Sequence, residues 1–418
     1  MATATALTAE QVCGSLGSIL GAEHASVRDG VVVATPGDVA QVAEVLRFAN
    51  ANGIAVMPVG GATRLGWGNP VAAGIQLSTR RLAQLREHAW QDLTCTVEAG
   101  CTWSAMQAAL AQRGQMVALD PLWPEQATVG GIIAANDSGA LRVKFGGLRD
   151  LIIGMTIVLA DGTVAKSGGK VVKNVAGYDL HKLMTGSFGT LGVITEVNFR
   201  LHPAEQFVRT WTVLAPGGLV GDAAGFAKPL AALTDSQMTP SGVQVRVSGK
   251  ECAVDIRMMA LPECIGEYEA RMGRIFEGFE LTVADGEVWN ARQRIFDSEM
   301  DIIVKISAVP GEICAVISEL QRWAAAEGVD TNIAGQATGL ITAGLKPAGD
   351  AAGRVIESLR ERVKGFGGSA VVLRLPDTLR RKIDVWGTET NALPLMREIK
   401  RQFDPNRILN PGRFVGNI

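Results

Sequence analysis

Local metal-binding spacing is missing from this chain. Its six cysteines, at positions 13, 95, 101, 252, 264 and 314, include no Cys-x-x-Cys pair, which excludes an iron–sulfur or zinc site built from neighbouring ligands. Scattered in this way they read as small buried hydrophobes. Histidine is scarce as well: four residues, at 24, 88, 181 and 202, and none from Pro203 to Ile418. Lys and Arg total 40 against 42 Asp and Glu, with no block of like charge, so nothing favours a nucleic-acid backbone or an anionic membrane. The longest apolar run, Leu151 to Ala160, is bounded by Asp150 and Asp161 and falls well short of the roughly 20 residues that cross a bilayer. It reads as a buried strand. The opening residues carry no basic stretch before a long apolar core, so no signal peptide is expected and the predicted location is the cytoplasm, with the inner membrane reached only through partners.

Glycine, by contrast, is abundant and clustered. Two stretches about seventy residues apart, VMPVGGATRLGWGNP from Val56 and ATVGGIIAANDSGALRVKFGGLRD from Ala127, carry most of the signal. Gly60, Gly61 and Gly66 in the first, and Gly130, Gly131 and Gly139 in the second, can take positive φ. Without a Cβ they let successive N–H groups converge on an anion. A lone glycine pair marks a turn. Two such loops in order, with a third glycine-rich block downstream, read as a two-loop cradle for the FAD pyrophosphate, and neither loop belongs to a Rossmann fold.

The third block, GYDLHKLMTGSFGTLGVITEVNFRLHP from Gly177, together with FDPNRILNPGRF near the C-terminus, resembles the FAD-binding superfamily of vanillyl-alcohol oxidase and para-cresol methylhydroxylase. Within it, the pattern is similar to the 2-hydroxyacid dehydrogenases, and DPLWPEQATVGG is most similar to the smaller FAD-binding (E) subunits of bacterial glycolate oxidases. The resemblance implies an α+β protein, with a two-subdomain FAD-binding domain and a ferredoxin-like α+β cap. It implies oxidation of glycolate to glyoxylate, with electrons passed to an iron–sulfur subunit beside a second flavoprotein subunit. Two alternatives stay open: a standalone FAD-dependent 2-hydroxyacid (D-lactate-type) dehydrogenase, and a non-catalytic assembly subunit.

At 418 residues the chain exceeds one hydrophobic core. The expected division is 1–204 for the FAD-binding domain, 205–394 for the cap and 395–418 for a segment that returns to the FAD domain. Thr35 and Pro36 read as N-cap and N1 of a helix carrying Val39, Val42, Val45, Leu46 and Ala49, stopped by Gly53. Thr102 caps a second helix that ends at Gly114. In the cap, Val243, Val245 and Val247 alternate up to a Gly249-Lys250 turn, and Cys252, Val254, Ile256 and Met258 alternate back. Helices are predicted over 263–277, 312–326 and 352–364, and a last one through Leu395, Met396, Ile399 and Phe403.

The first loop, from Pro58 and Val59 through Gly60, Gly61, Ala62, Thr63 and Arg64, is assigned to the pyrophosphate, with Gly66 permitting close approach. Arg64 reads equally as a solvated loop charge. The resemblance implies that Thr128, Gly130, Gly131, Asn136, Ser138 and Gly139, helped by Arg142, meet the phosphates or the flavin edge. It further implies that the backbone of Val193 and Ile194 meets the adenine, and that Asn410 and Arg413 either touch the flavin ring or form a C-terminal clasp. Relatives that bind FAD covalently use a histidine or cysteine in these loops; neither loop has one, so noncovalent FAD is expected. Catalytic relatives carry a histidine-rich motif near the NIAGQATGLITAG segment, which here holds none, so no metal site is expected and no catalytic residue is assigned. The isolated chain is therefore expected to be reduced slowly or not at all by glycolate. Arg374, Arg380, Arg381, Arg413, Tyr268, Asp384 and Glu389 could bind a carboxylate or accept a proton and read equally as surface groups. Phe188 stands where related dehydrogenases have glutamate.

Overall fold

The computed structural model describes residues 7–170, 178–204, 207–215, 222–249, 251–347, 352–380, 382–387 and 390–418. Gly177, Glu205, Lys250, Arg381 and Glu389 lie outside the described residues.

Three main sheets form the chain. The first is four-stranded, in the order Ala25–Arg28, Val31–Ala34, Ile75–Ser78, Val56–Val59, with the last three mutually parallel. Helices Ala9–Leu20 and Val39–Ala51 share its core. The second helix begins later than the Thr35-Pro36 pair suggests: Asp38 is the N-cap, accepting from Gln41 N, while Thr35 Oγ1 donates to His24 O. Asp outranks Thr as a cap and has a free N–H to accept from. Thr102 caps Trp103–Ala111 as read.

An antiparallel sheet of five strands follows, in the order Leu85–Ala89, Thr94–Glu98, Val193–Arg200, Ile152–Val158, Val164–Gly168. The apolar run from Leu151 supplies its buried strand Ile152–Val158. Asp161 and Gly162, the latter at φ 80°, turn the chain into Val164–Gly168.

The third sheet has eight antiparallel strands: Glu280–Ala284, Val208–Leu214, Glu251–Met259, Gly242–Ser248, Asp330–Gln336, Leu340–Lys346, Ile302–Ser307 and Ser369–Arg374. In chain order this is two βαββαβ units, each with its strands arranged 4-1-3-2, joined edge to edge through Gly242–Ser248 and Asp330–Gln336. The ferredoxin-like rhythm is therefore doubled. Helices Ala227–Asp235, Ile265–Ile275, Ile313–Glu327 and Ala352–Gly365 cover one face, where Val243, Val245, Val247, Val254, Val304, Ile306 and Ala343 are buried. Strand alternation sends Gln244, Arg246, Asp255, Gln336, Thr342 and Lys305 to the opposite face. That face meets the glycine-rich loops, and its buried polar residues require partners there.

The tail closes the structure. After helix Leu393–Phe403, Leu409 bridges in parallel to Val56, and the Val56 N–H donates to Ile408 O at 2.7 Å. The apolar stripe expected on that helix is only partly buried: Leu395 is 63% exposed, while Lys400 is buried. The Lys400 ammonium donates to Thr190 O, Leu409 O and the Asp404 carboxylate at 2.6–2.9 Å, tying helix, tail and third glycine block together.

Candidate functional site: a loop-built cleft and an interdomain chamber

A cleft runs between the first loop, the turn into helix Val129–Ala135, the Phe188–Ile194 segment and the tail. Its walls include Pro58, Val59, Gly60, Gly61, Ala62, Thr63, Arg64, Thr128, Gly130, Gly131, Val193, Ile194, Asn410 and Arg413. Leu65, Thr79, Ala134, Ala135, Phe188, Gly189 and Gly192 complete it. Gly66, Asn136, Ser138, Gly139 and Arg142 stand outside this lining. Gly139 packs on Asp120, where a Cβ would fall 2.3 Å from the carboxylate. Asn136, at φ 47°, ends the helix beside Gly186. The Gly66 carbonyl accepts from Arg380, and Arg142 opens the short helix Arg142–Phe145.

Positive φ is not what the six loop glycines supply. None of them adopts it; Ala62 (φ 62°), Phe188 (φ 53°), Gly189 (φ 70°) and Asn410 (φ 41°) do. What these glycines supply is closeness. A Cβ on Gly60 would sit 2.0 Å from Thr128 Oγ1, one on Gly61 1.9 Å from Gln126 O, and one on Gly130 2.9 Å from the Ala99 side chain. The two loops touch backbone to backbone, held by Gly61 N donating to Thr128 Oγ1 and by Arg80 bonded to the Gly60 and Gly61 carbonyls. A narrow, backbone-walled cleft of this kind fits the diphosphate of FAD. Ser187 Oγ, Asn410 Oδ1 and Arg413 Nε are buried there or beside it without a hydrogen-bond partner among the described residues.

The tail acts as the clasp. Arg413 Nη2 donates to the Arg64, Leu65 and Trp67 carbonyls at 3.1–3.3 Å, Asn410 Nδ2 donates to Phe188 O at 2.7 Å, and Trp386 Nε1 donates to Arg413 O. Burial pushes the Arg413 guanidinium down to about 10. Trp386 packs edge to face on both Phe188 and Phe414 beside it.

Arg64 lines the cleft, but its guanidinium turns toward Asp137 and Leu122. It lies between the Trp67 and Trp123 rings, 5.4 Å from each centroid, donates to Leu122 O and pairs with Asp137. Arg292, from helix Ala291–Asp297, pairs with the other Asp137 oxygen at 2.9 Å and donates to Ser138 O. Desolvation opposes ionisation of so buried a carboxylate. Arg292 and then Arg64, with the Leu122 N–H, outweigh it and hold Asp137 well below the usual carboxylate range.

Behind this network is a second, much narrower space between the glycine-rich loops and the large sheet. Asp137, Ser138 and Trp67 come from the loops, Arg292 and Phe296 from the helix, and Lys305, Gln336 and Thr342 from the polar face of the large sheet. Ser138 Oγ and Gln336 Oε1 are buried and unpartnered among the described residues. Two basic side chains, Arg292 and Lys305, therefore line the chamber with one carboxylate, which is already doubly paired. Sequence reading passed over Arg292, Lys305 and Asp137. The available signal was a lone lysine inside the apolar strand IIVKIS, a pattern that marks a strand buried on both faces.

The other candidates lie elsewhere. Arg374 bonds Phe296 O from outside the chamber lining, Asp384 is exposed, and Tyr268 packs in the helix-covered core. Among the described residues no cluster of His, Cys, Asp or Glu could hold a metal, and no helix is long and apolar enough to cross a membrane.

The chain matches the family model "FAD binding domain" over residues 31–168 and "FAD linked oxidases, C-terminal domain" over 384–414. It is 33% identical over 193 residues to the glycolate oxidase subunit GlcD of Bacillus subtilis, a match covering 46% of this chain and 41% of that one. With the D-lactate dehydrogenase of Archaeoglobus fulgidus it is 28% identical across 93% of this chain and 92% of the relative. A crystal structure of p-cresol methylhydroxylase superposes with a TM-score of 0.76 at 16% identity, covering 97% and 96% of the two chains, which speaks for the fold.

Proposed function

Because this chain matches the FAD binding domain over residues 31–168 and the C-terminal domain of FAD linked oxidases over 384–414, we propose that it oxidises the carbinol carbon of a small 2-hydroxycarboxylate held in the interdomain chamber. FAD is its cofactor, and when bound supplies the two-electron acceptor. The first-loop residues Gly60 to Thr63, with Thr128, Gly130 and Gly131, hold the diphosphate. Val193 and Ile194 flank the adenine, and Phe188, Asn410 and Arg413 border the far end of the cleft. The observation that carries the substrate reading is the buried, unpartnered Ser138 hydroxyl beside Arg292 at the chamber wall. Arg292 and the Ser138 hydroxyl suit the substrate carboxylate, while the walls of Trp67, Leu122 and Phe296 suit a short chain and exclude water. Anaerobic mixing of the purified flavoprotein with D-lactate, glycolate and D-malate, followed in the flavin absorption band, tests this reading. Bleaching by at least one acid is expected, and none would refute it.

A second reading, the FAD-binding subunit of a glycolate-oxidising complex with a further flavoprotein and an iron–sulfur subunit, is supported by the likeness to GlcD and by the absence of clustered cysteines. Affinity purification from the native host with iron and flavin analysis tests it: co-purifying iron and a second flavoprotein are expected, and an iron-free single chain would exclude it.

A further inference from the structure

We propose that the Lys305 side-chain nitrogen is the base that takes the hydroxyl proton of the substrate, an inference that rests on the 2-hydroxycarboxylate reading of the chamber. Oxidising a carbinol to a carbonyl breaks two bonds. The C–H bond breaks with its electron pair, leaving as hydride to the oxidised flavin; the O–H bond breaks with its proton going to a base, and the oxygen lone pair closes the C=O bond. A 2-oxo acid results, the flavin is reduced by two electrons, and the proton rests on Lys305 Nζ until solvent removes it. Relying on a base of this kind contributes typically 10²–10⁴-fold.

Three ionisable groups line the chamber: Asp137, Arg292 and Lys305. Asp137 is saturated by Arg64, Arg292 and the Leu122 N–H, so it is a carboxylate with little basicity left. A guanidinium does not give up its proton in a protein. Lys305 alone is uncommitted: among the described residues its ammonium has neither a hydrogen bond nor an ion-pair partner within reach. Its place is fixed by the sheet, since strand Ile302–Ser307 is flanked on both sides and sets Lys305 opposite Thr342 and Val371. The charged groups that face it are Asp137 from the second loop, Arg292 from helix Ala291–Asp297 and Arg142 from the short helix after that loop. Burial is the largest influence and drives the ammonium toward its neutral form; Asp137 opposes this, and Arg292 and Arg142 add to it. A neutral amine beside a bound hydroxyl is a competent acceptor.

The experiment compares wild type with Lys305→Ala and Lys305→Arg as FAD-loaded full chains. Flavin reduction is measured in single turnovers across pH with the best 2-hydroxyacid, and binding of the unreactive dicarboxylate oxalate by the shift in flavin absorption. The wild-type rate should rise with pH through the lowered lysine value and then level off. Both variants should bind oxalate within about fivefold of wild type and be reduced about 10²- to 10⁴-fold more slowly, without that pH rise. Methylamine should partly restore Lys305→Ala and leave Lys305→Arg unchanged. Variant rates and pH profiles equal to wild type would overturn the proposal alone. So would a loss of oxalate binding in Lys305→Ala that matches its loss of rate, which would make Lys305 a carboxylate anchor. A wild-type flavin that no 2-hydroxyacid reduces would remove the substrate reading, and this proposal with it.

Discussion

Replacing Gly61 by alanine adds one methyl group at the tightest point of the cleft. The new Cβ would lie 1.9 Å from the Gln126 carbonyl oxygen, 2.9 Å from its carbon and 3.3 Å from Ala127 Cα, whereas ordinary contact begins near 3.4 Å. Every one of those atoms is backbone, so no side chain can rotate away. The two loops must separate by about 1.5 Å, and the anion cradle opens with them. Overpacking of this kind costs about 1–3 kcal/mol, which at about 1.4 kcal/mol per tenfold weakens FAD binding by about 5- to 150-fold. Gly131→Ala is the internal control: its Cβ would meet only Thr128 Oγ1, at 3.2 Å, and alanine favours the helix it stands in. It should bind within about threefold of wild type. Gly60→Ala should fall between, because the atom in its way, Thr128 Oγ1 at 2.0 Å, belongs to a side chain. Titration of apoprotein with FAD, followed by quenching of flavin fluorescence, gives all three affinities. Wild-type affinity in Gly61→Ala, or weaker binding by Gly131→Ala than by Gly61→Ala, would refute the close-approach argument.

Other consequences are testable in the same preparations. Trichloroacetic acid should release all of the FAD into solution, because no histidine or cysteine lines the cleft; flavin fluorescence on the denatured polypeptide would contradict this. Asp137→Asn leaves two buried guanidiniums without their counter-charge and should destabilise the protein by about 3–5 kcal/mol, read by urea unfolding near neutral pH. Because the Asp137 pKa is depressed by folding, its stabilisation is complete above the unfolded carboxylate value of about 3.9 and fades as pH falls through the lower folded value. The difference between wild type and Asp137→Asn should shrink accordingly on strong acidification, and a gap that widens would argue against the paired carboxylate. Lys400→Met leaves the Asp404 carboxylate buried without its cation and frees the Thr190 and Leu409 carbonyls. It should lower both the thermal midpoint and FAD occupancy, and an unchanged midpoint would show the clasp to be dispensable.

Local signals in the sequence were informative wherever backbone chemistry decides the outcome. The glycine clusters at 60–61 and 130–131 mark the cleft, and Gly249 with the flanking valines marks the hairpin, since these depend on neighbours in the chain. Long-range burial was harder to read. Lys400 reads as one more solvated charge beside Arg397, Glu398 and Arg401 on its helix, yet its partners Thr190 and Leu409 come from other segments. Strands Asp330–Gln336, Val208–Leu214 and Glu280–Ala284 were not assigned, being too polar or too short for an alternation pattern; their pairing with stronger strands makes them. The sequence offers no histidine in its second half and only Tyr268, Asp384 and Glu389 as scattered acceptors, whereas the chamber's basic side chains come from segments that only the tertiary fold brings beside residue 137. Arg64 was half legible: its loop was recognisable, but Trp67, Trp123 and Asp137 together determine where its guanidinium points.

The clasp has a bearing on how the protein is made. Arg413 holds the carbonyls of Arg64 and its neighbours from 349 residues away along the chain, and Leu409 lies against Val56. At about 5–20 residues per second of synthesis, the first loop waits roughly 20–70 s on the ribosome before its last supports emerge. During that interval the cleft lacks a wall, so firm cofactor capture follows the synthesis of the tail. A nascent chain stalled before residue 400 would display the glycine loops without the tail that closes them.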